Sequence, residues 1–394
     1  MNNCFKMLTY FKCGWAEFFL AMIPLLNPYS KGIISLGLLA CLIVAIICFF
    51  RRQEKWHPQY YRIFVAYIII HELVLCFTMP SFEMYHVNNL IQTIICMVTI
   101  IIAAPAIDVE KFTHAIYIIG AIVSLGILYQ FLMLLSGNPI QPLSIPFFDI
   151  LFERARGDKI AIRPMSFFDE PAAFANYMII PMFFLLKAKK YVWYGVSVFF
   201  VLLSTSTTGV VSSIALLVFN AMLNVKHKGQ IIVIAILLGG VFYGINNIEV
   251  LSATKEKIED TDVEKNGRMM NGPYMFQHLE PVEYVVGINA SNIFDYVQNH
   301  KELYKGLICF PDSNMFYVSN FWTIFIKFGI IGFVIYNLIY ILLIKKDIKL
   351  LPLLGTELAF SVFGGLGIST PFVFVITAAI ASSLYDREMS LSRT

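Results

Sequence analysis

Apolar residues come in long runs along this chain, with short polar or basic clusters between them. A helix that crosses a bilayer needs about 20 mostly apolar residues to span roughly 30 Å of hydrocarbon. By that ruler the pattern predicts twelve spans, at 14–28, 32–50, 60–79, 88–106, 114–136, 171–187, 191–204, 208–225, 230–247, 314–344, 350–364 and 371–386. The first is short and no small-residue cleavage site follows it, so it reads as a retained span and not a signal peptide.

Composition agrees with the pattern. Of 394 residues 58% are apolar and 14% charged, with a mean hydropathy of +0.72. A soluble domain carries roughly 25% charged residues, so the apolar excess is too large for one water-facing core. The 29 basic and 26 acidic residues leave a formal charge of +3, which excludes the strongly basic balance of a nucleic-acid binder. Seven cysteines form no CxxC and no disulfide framework: Cys41, Cys48, Cys76 and Cys96 fall in apolar runs, Cys4 and Cys13 near the start, and Cys309 in a polar stretch.

Lysine and arginine set the orientation. With the first residues on the cytoplasmic side, seventeen of the 29 basic residues fall inside, among them Arg51, Arg52, Lys111, Lys187, Lys189, Lys190, Lys226, Lys228, Lys345, Lys346 and Lys349. The short external connections then hold Lys31 alone, the asymmetry of the positive-inside rule. Both chain ends are expected in the cytoplasm. Two long segments, 137–170 and 248–313, fall outside, and loops that long are exempt from the charge rule. They hold aromatics, prolines and glycines, so they are expected to fold as caps over the outer mouth of a single integral-membrane domain.

Two hairpins are too short to cross. The pair 191–225 turns at Ser204-Thr205-Ser206-Thr207-Thr208-Gly209, leaving arms of about 20 and 24 Å; the pair 350–386 turns at 364–371. Recessed polar turns of this kind can floor one external cavity, because irregular backbone at membrane depth must be lined by protein or water. Bilayer thinning or tilt would accommodate them equally. Ionisable residues inside apolar runs are functional hypotheses by default. Here they are Glu17, His71, Glu72, Lys327 and Glu357, and Lys327 is expected to pair with Glu357 or Glu72.

Arg163-Pro164-Met165-Ser166-Phe167-Phe168-Asp169-Glu170-Pro171 reads as a helix start, since Pro171 suits a first helical turn and Asp169 or Glu170 can cap free N–H groups. The positive end of that helix dipole and the Arg163 fork suit phosphate oxygens. This segment resembles the O-antigen polymerase (Wzy) and O-antigen ligase superfamily, in which an Arg-Pro-x-Ser-Phe-Phe-x-Glu-Pro type segment leads into a span. A Ser/Thr-rich turn with glycine follows, matched by 203–209. Further similar segments are Asn266-Gly267-Arg268, Val286-Gly287-Ile288-Asn289-Ala290-Ser291-Asn292, Asp312-Ser313-Asn314-Met315-Phe316-Tyr317 and Phe328-Gly329-Ile330-Ile331-Gly332. The resemblance covers roughly residues 163–335. Ligases of the family often carry a histidine before the asparagine that opens the late span, whereas this chain has Ser313 there.

The resemblance implies an all-α polytopic membrane glycosyltransferase of GT-C-like type in a bacterial inner membrane, with its active site facing outward. It would transfer a growing glycan from undecaprenyl diphosphate to the next lipid-linked repeat unit, building O-antigen, capsule or exopolysaccharide, with a chain-length regulator as a possible partner. Arg163 and Arg268 would hold the diphosphate; Glu170 leads as the base, followed by Asp312 and His278, with Ser204, Ser206, Asn314 and Lys327 in support. Against a broad basic field, segment 248–313 holds six basic and eleven acidic residues, so any phosphate site is local. No cofactor is implied, and the seven histidines form no HExxH. A ligase using a lipid A core acceptor and a lipid-linked oligosaccharide flippase are the alternatives, although flippases usually have short loops and inverted repeats.

Overall fold

A computed structural model describes residues 13–31, 34–51, 59–78, 84–140, 143–150, 163–223, 239, 267–290, 292–309, 316–364 and 368–391. Within them the helices are α1 (Trp15–Leu26), α2 (Leu36–Phe49), α3 (Gln59–Thr78), α4 (Met84–Ala103), α5 (Val109–Leu135), α6 (Pro171–Lys187), α7 (Tyr191–Leu203), α8 (Thr207–Leu223), α9 (Gly267–Gln277), α10 (Pro281–Val286), α11 (Ile293–Asn299), α12 (Asn320–Lys346), α13 (Leu351–Phe363) and α14 (Thr370–Leu391). The predicted helical class therefore holds, and eleven of the twelve predicted stretches coincide with helices; the ninth, 230–247, lies outside the described residues apart from position 239. Among the described residues, α5 is long and apolar enough to cross a membrane by length and composition, and α12 is so only if its two halves are counted as one helix. A three-stranded antiparallel sheet, β2 (Ile34–Ser35), β1 (Tyr29–Lys31) and β3 (Asp149–Ile150), is an addition. Strands of two and three residues leave no periodic signal, so an apolar scan passes over them.

Local chemistry places the helix starts. Ser35 Oγ accepts the Leu38 N–H at 3.1 Å, and Asp108 Oδ1 accepts those of Glu110 and Lys111, also at 3.1 Å. These caps satisfy N–H groups that a first turn leaves without carbonyl partners.

One end of the bundle is tied by ion pairs. Fully buried Glu17 on α1 pairs with Arg51 after α2 and accepts the Asp108 N–H at 3.1 Å. Lys187 at the end of α6 lies 2.8 Å from Asp386 on α14, which Lys349 also approaches at 3.5 Å. The sheet and the segments 163–170 and 267–309 belong to the opposite end.

The tenth predicted span, 314–344, is corrected. Gly329 has φ 63 and ψ −174, which no helix tolerates, and it splits α12 into arms 320–328 and 330–346. The arms fold back on each other: the rings of Phe321 and Phe333 lie 4.8 Å apart, where twelve residues of straight helix would separate them by about 18 Å. The second arm serves one core and the first arm two, since Ile324 and Phe328 also face the large core. Tyr336, Ile339, Tyr340 and Leu343 join the large core of the bundle. Ile326 and Trp322 join a second, smaller core built from α9, α11 and the chain between and after them, including Met275, Ile288, Tyr296, Leu303 and Phe316. The expected cap at 248–313 thus has an apolar core of its own in its described part, and that core reaches Ile326.

Two carbonyls at the break find donors on other elements. Ile288 N–H donates to Ile326 O at 3.0 Å and Tyr67 Oη to Phe328 O at 2.8 Å, replacing bonds that the interrupted helix cannot make. Gly287, at φ 92, lies so close to the Lys327 carbonyl that any Cβ would overlap it. Lys327 Nζ lies 2.7 Å from buried Glu72 on α3. Of the two partners expected for Lys327, Glu72 is the one found, and it ties α3 to the break.

Candidate functional site

The segment before α6 is held in an uncommon shape. Ser166 has φ 56, in the left-handed region that a serine rarely occupies. Gln130, fully buried within the apolar α5, pins the turn: its Oε1 accepts the N–H groups of Met165 at 2.8 Å and Ser166 at 2.7 Å. Gly126, one turn earlier, lets Ser166 approach, because a Cβ there would fall on the serine hydroxyl. From the sheet, buried Tyr29 donates its hydroxyl to Phe167 O at 2.8 Å. Burial pushes that phenol up to about 12, so it stays a donor.

This fixes Asp169 and Glu170 at the head of α6. Glu170 is the N-cap residue, extended at φ −147, but its side chain caps nothing. It faces Arg268 on α9 instead, with Oε2 3.8 Å from the guanidinium. The Arg268 guanidinium also lies over the Tyr317 ring at 4.9 Å, a cation–π geometry. Its backbone is anchored too, since Ser319 N–H donates to Arg268 O at 3.2 Å. Nearby, fully buried Asn271 donates to Ile308 O and Tyr317 O, both at 3.0 Å, and accepts the Ile308 N–H at 2.8 Å, fastening α9 to the chain before α12.

Around Glu170 and Arg268 lies a cavity of about 430 Å³, within the usual range for small-molecule sites. Asn27 at the end of α1, Asn176 and Tyr177 on α6, Asn320 opening α12, and Gly364, Ser369 and Pro371 at the turn between α13 and α14 complete much of its wall. Among the described lining residues the charges are two carboxylates and one guanidinium. The aromatic wall is stacked, Tyr177 against Phe374 with ring centroids 5.6 Å apart.

The cavity brings together some of the expected residues and leaves others apart. Glu170 and Arg268, 98 positions apart in sequence, meet. Arg163 is half-buried at the start of the pinned segment, and it is not among the residues lining the cavity. His278 is exposed just after α9, its Nδ1 2.8 Å from Tyr274 O, and it is not among the residues lining the cavity. Of the two polar turns expected to floor a pit, that at 364–371 contributes to the wall. The other does not: Ser204 Oγ donates to Val201 O at 2.7 Å, and Ser206 Oγ accepts the Gly209 N–H at 3.2 Å. Both serines are buried, Ser204 serving the end of α7 and Ser206 the start of α8, with Gly209 packed on Ala175. Lys327 belongs to the helix break. Asp312 and Asn314 lie outside the described residues.

No protein-family model matches the chain, and no curated protein does either. What the site can do therefore rests on its chemistry. A carboxylate with no capping duty beside a guanidinium held by an aromatic ring offers an acceptor for a proton and a fork for an oxyanion in one place. Sequence reading passes over Gln130, Asn271, Asn176 and Asn27. For Gln130 and Asn176 the available signal was a carboxamide within an otherwise apolar run, which in a bilayer needs a partner; Asn271 lies in a polar stretch and carries no such signal.

Proposed function

We propose that the chain is a polytopic membrane glycosyltransferase that extends polyprenyl diphosphate-linked glycans, a repeat-unit polymerase of the O-antigen polymerase type. In this reading twelve spans cross the inner membrane, both chain ends are cytoplasmic, and the cavity opens outward. The juxtaposition of Glu170 and Arg268 carries it. Two segments that the charge pattern assigns to the outer side meet at a cavity at the end of the bundle opposite the Lys187, Lys349 and Arg51 ion pairs.

Glu170 is the general base that accepts the proton of the attacking sugar hydroxyl. Arg268 holds the departing diphosphate, released from its contact with Glu170 as negative charge develops on the phosphate oxygens. Arg163 starts the segment that leads to Glu170 but does not line the cavity, so this reading gives the diphosphate one cation, Arg268. A single preorganised donor of this kind is worth ~10²–10³ in rate.

The test is purified protein in lipid nanodiscs given undecaprenyl diphosphate-linked repeat units alone. A ladder of lengthening glycans supports a polymerase. Turnover that requires a lipid A core acceptor would replace it with a ligase, and no turnover with either acceptor refutes glycosyl transfer.

A further inference from the structure

The cap carries one apolar face that its own core does not use. In α10, Val282, Val285 and Val286 stand at i, i+3 and i+4 and are 68%, 46% and 45% exposed, whereas Glu283 turns the other way. Its Oε2 accepts the Tyr296 hydroxyl and the Glu280 N–H, both at 2.8 Å. Three valines in one exposed stripe on a short helix of an otherwise water-facing cap would be costly in water.

Two rulers give the depth of that stripe. His71 Nε2 on α3 lies 2.9 Å from Val286 O, and α3 runs on for seven residues, about 10 Å, past that level. Along that stretch Val74 and Phe77 are 52% and 86% exposed. The arm 330–346 starts from the break that α10 abuts and ends at Lys345 and Lys346; its 17 residues rise about 26 Å. Against a hydrocarbon core of roughly 30 Å, both rulers place α10 inside the outer edge of the apolar layer. The direction of α3 is settled by its contacts: Phe64 packs on Tyr336, Tyr67 bonds at Phe328, and His71 meets Val286, so the helix climbs toward the cap.

We propose that α10 is inserted in the outer leaflet, with Val282, Val285 and Val286 against lipid acyl chains, as a re-entrant foot that pins the cap to the bilayer. The stripe continues the exposed apolar surface of α3, and the Lys327–Glu72 pair and the His71 contact fix it there. Arg268 sits on the same cap, so the foot holds the mouth of the cavity at headgroup depth. There a lipid-linked diphosphate can reach it without leaving the membrane. This inference rests on the membrane reading of the chain and not on glycosyl transfer.

The experiment is spin labelling in liposomes of Val282→Cys, Val285→Cys, Phe77→Cys and Lys301→Cys, each with the native cysteines replaced, comparing collision with oxygen and with a water-soluble nickel chelate. Labels at 282 and 285 are expected to favour oxygen several-fold, as the label at 77 does, while that at 301 favours nickel. A label at 282 that favours nickel while that at 77 favours oxygen overturns the foot and leaves the membrane reading intact; nickel preference at both sites overturns the two together. Should cysteine replacement prevent folding, a photo-crosslinking residue at 282 in the native chain gives the same decision. Lipid adducts support the foot, and adducts to protein or water alone refute it. Ladder formation, measured separately, decides the glycosyltransferase reading whatever these labels show.

Discussion

Replacing Gly329 with alanine tests whether the break in α12 organises the cap. Its φ of 63 and ψ of −174 fall in a region reserved for glycine, where another residue costs ~1–3 kcal/mol. A Cβ would also overlap the Val285 carbonyl and come within 2.6 Å of Gly287 N. Relief requires moving the two chains apart, which breaks the 3.0 Å bond from Ile288 N–H to Ile326 O, a further ~0.5–1.5 kcal/mol. Together these come to about 1.5–4.5 kcal/mol, a rise of roughly 10- to 1,600-fold in the open population of the junction. Hydrogen exchange followed by mass spectrometry in nanodiscs reads that population directly, because amide exchange there tracks local opening. Peptides covering 281–290 in Gly329→Ala should exchange faster by about that factor, and peptides of α5 should not change. Gly195→Ala is the control: it sits in α7 with open space around its Cβ position, so exchange at 281–290 should stay at the wild-type rate and α7 should gain about 0.5–1 kcal/mol. Exchange at 281–290 within about threefold of wild type in Gly329→Ala would refute the junction as the hinge point of the fold.

Other outcomes follow from the same contacts. Lys327→Met strands buried Glu72 and should cost about 3–5 kcal/mol, while Lys327→Met with Glu72→Leu should recover most of the loss; equal thermal shifts for the single and double variants in detergent would disprove the pairing. Arg268→Ala should cut glycan chain growth by ~10²–10³ with folding intact, and Glu170→Gln should lower turnover more than substrate affinity. Normal ladders from both would remove the site. Burial pushes the Asp108 carboxyl up, but Lys111 and the N–H groups of Lys111 and Glu110 outweigh it and hold the pKa below the usual carboxylate range. Its contribution to stability is therefore fully present above about pH 4 and lost as pH falls through the depressed pKa. Asp108→Asn should flatten the acid limb of the thermal-stability profile, and an unaltered limb would show that this cap does not govern it.

Helix placement was largely legible in the chain, because burial in an apolar phase is written in local composition. The limits 171–187 coincide with α6, and Pro171 and the preceding acidic pair announced where it starts. The resemblance put Glu170 first as the base, but its partner was not legible. Glu170 reads as a helix cap from local sequence, and it became a cavity residue because Arg268 arrives opposite it from the cap. Similarly, 314–344 reads as one continuous span, since an apolar tally gives Gly329 no weight. The break follows from backbone packing against Gly287, 42 positions earlier, and from hydroxyl and N–H donors on other elements that take up the freed carbonyls.

The sequence by itself determined a helical, apolar chain, the positions of most of its helices, and the gathering of its cations between them. Those properties depend on each residue's own transfer free energy, and so on neighbours within a turn or two. Tertiary structure alone decided which of the two polar turns borders a cavity, which carboxylate pairs with Lys327, and that one long apolar run serves two cores. Each of these is a contact between side chains or backbones far apart in sequence. Its energy exists only when the chain has closed, and no periodicity in either segment encodes the partner.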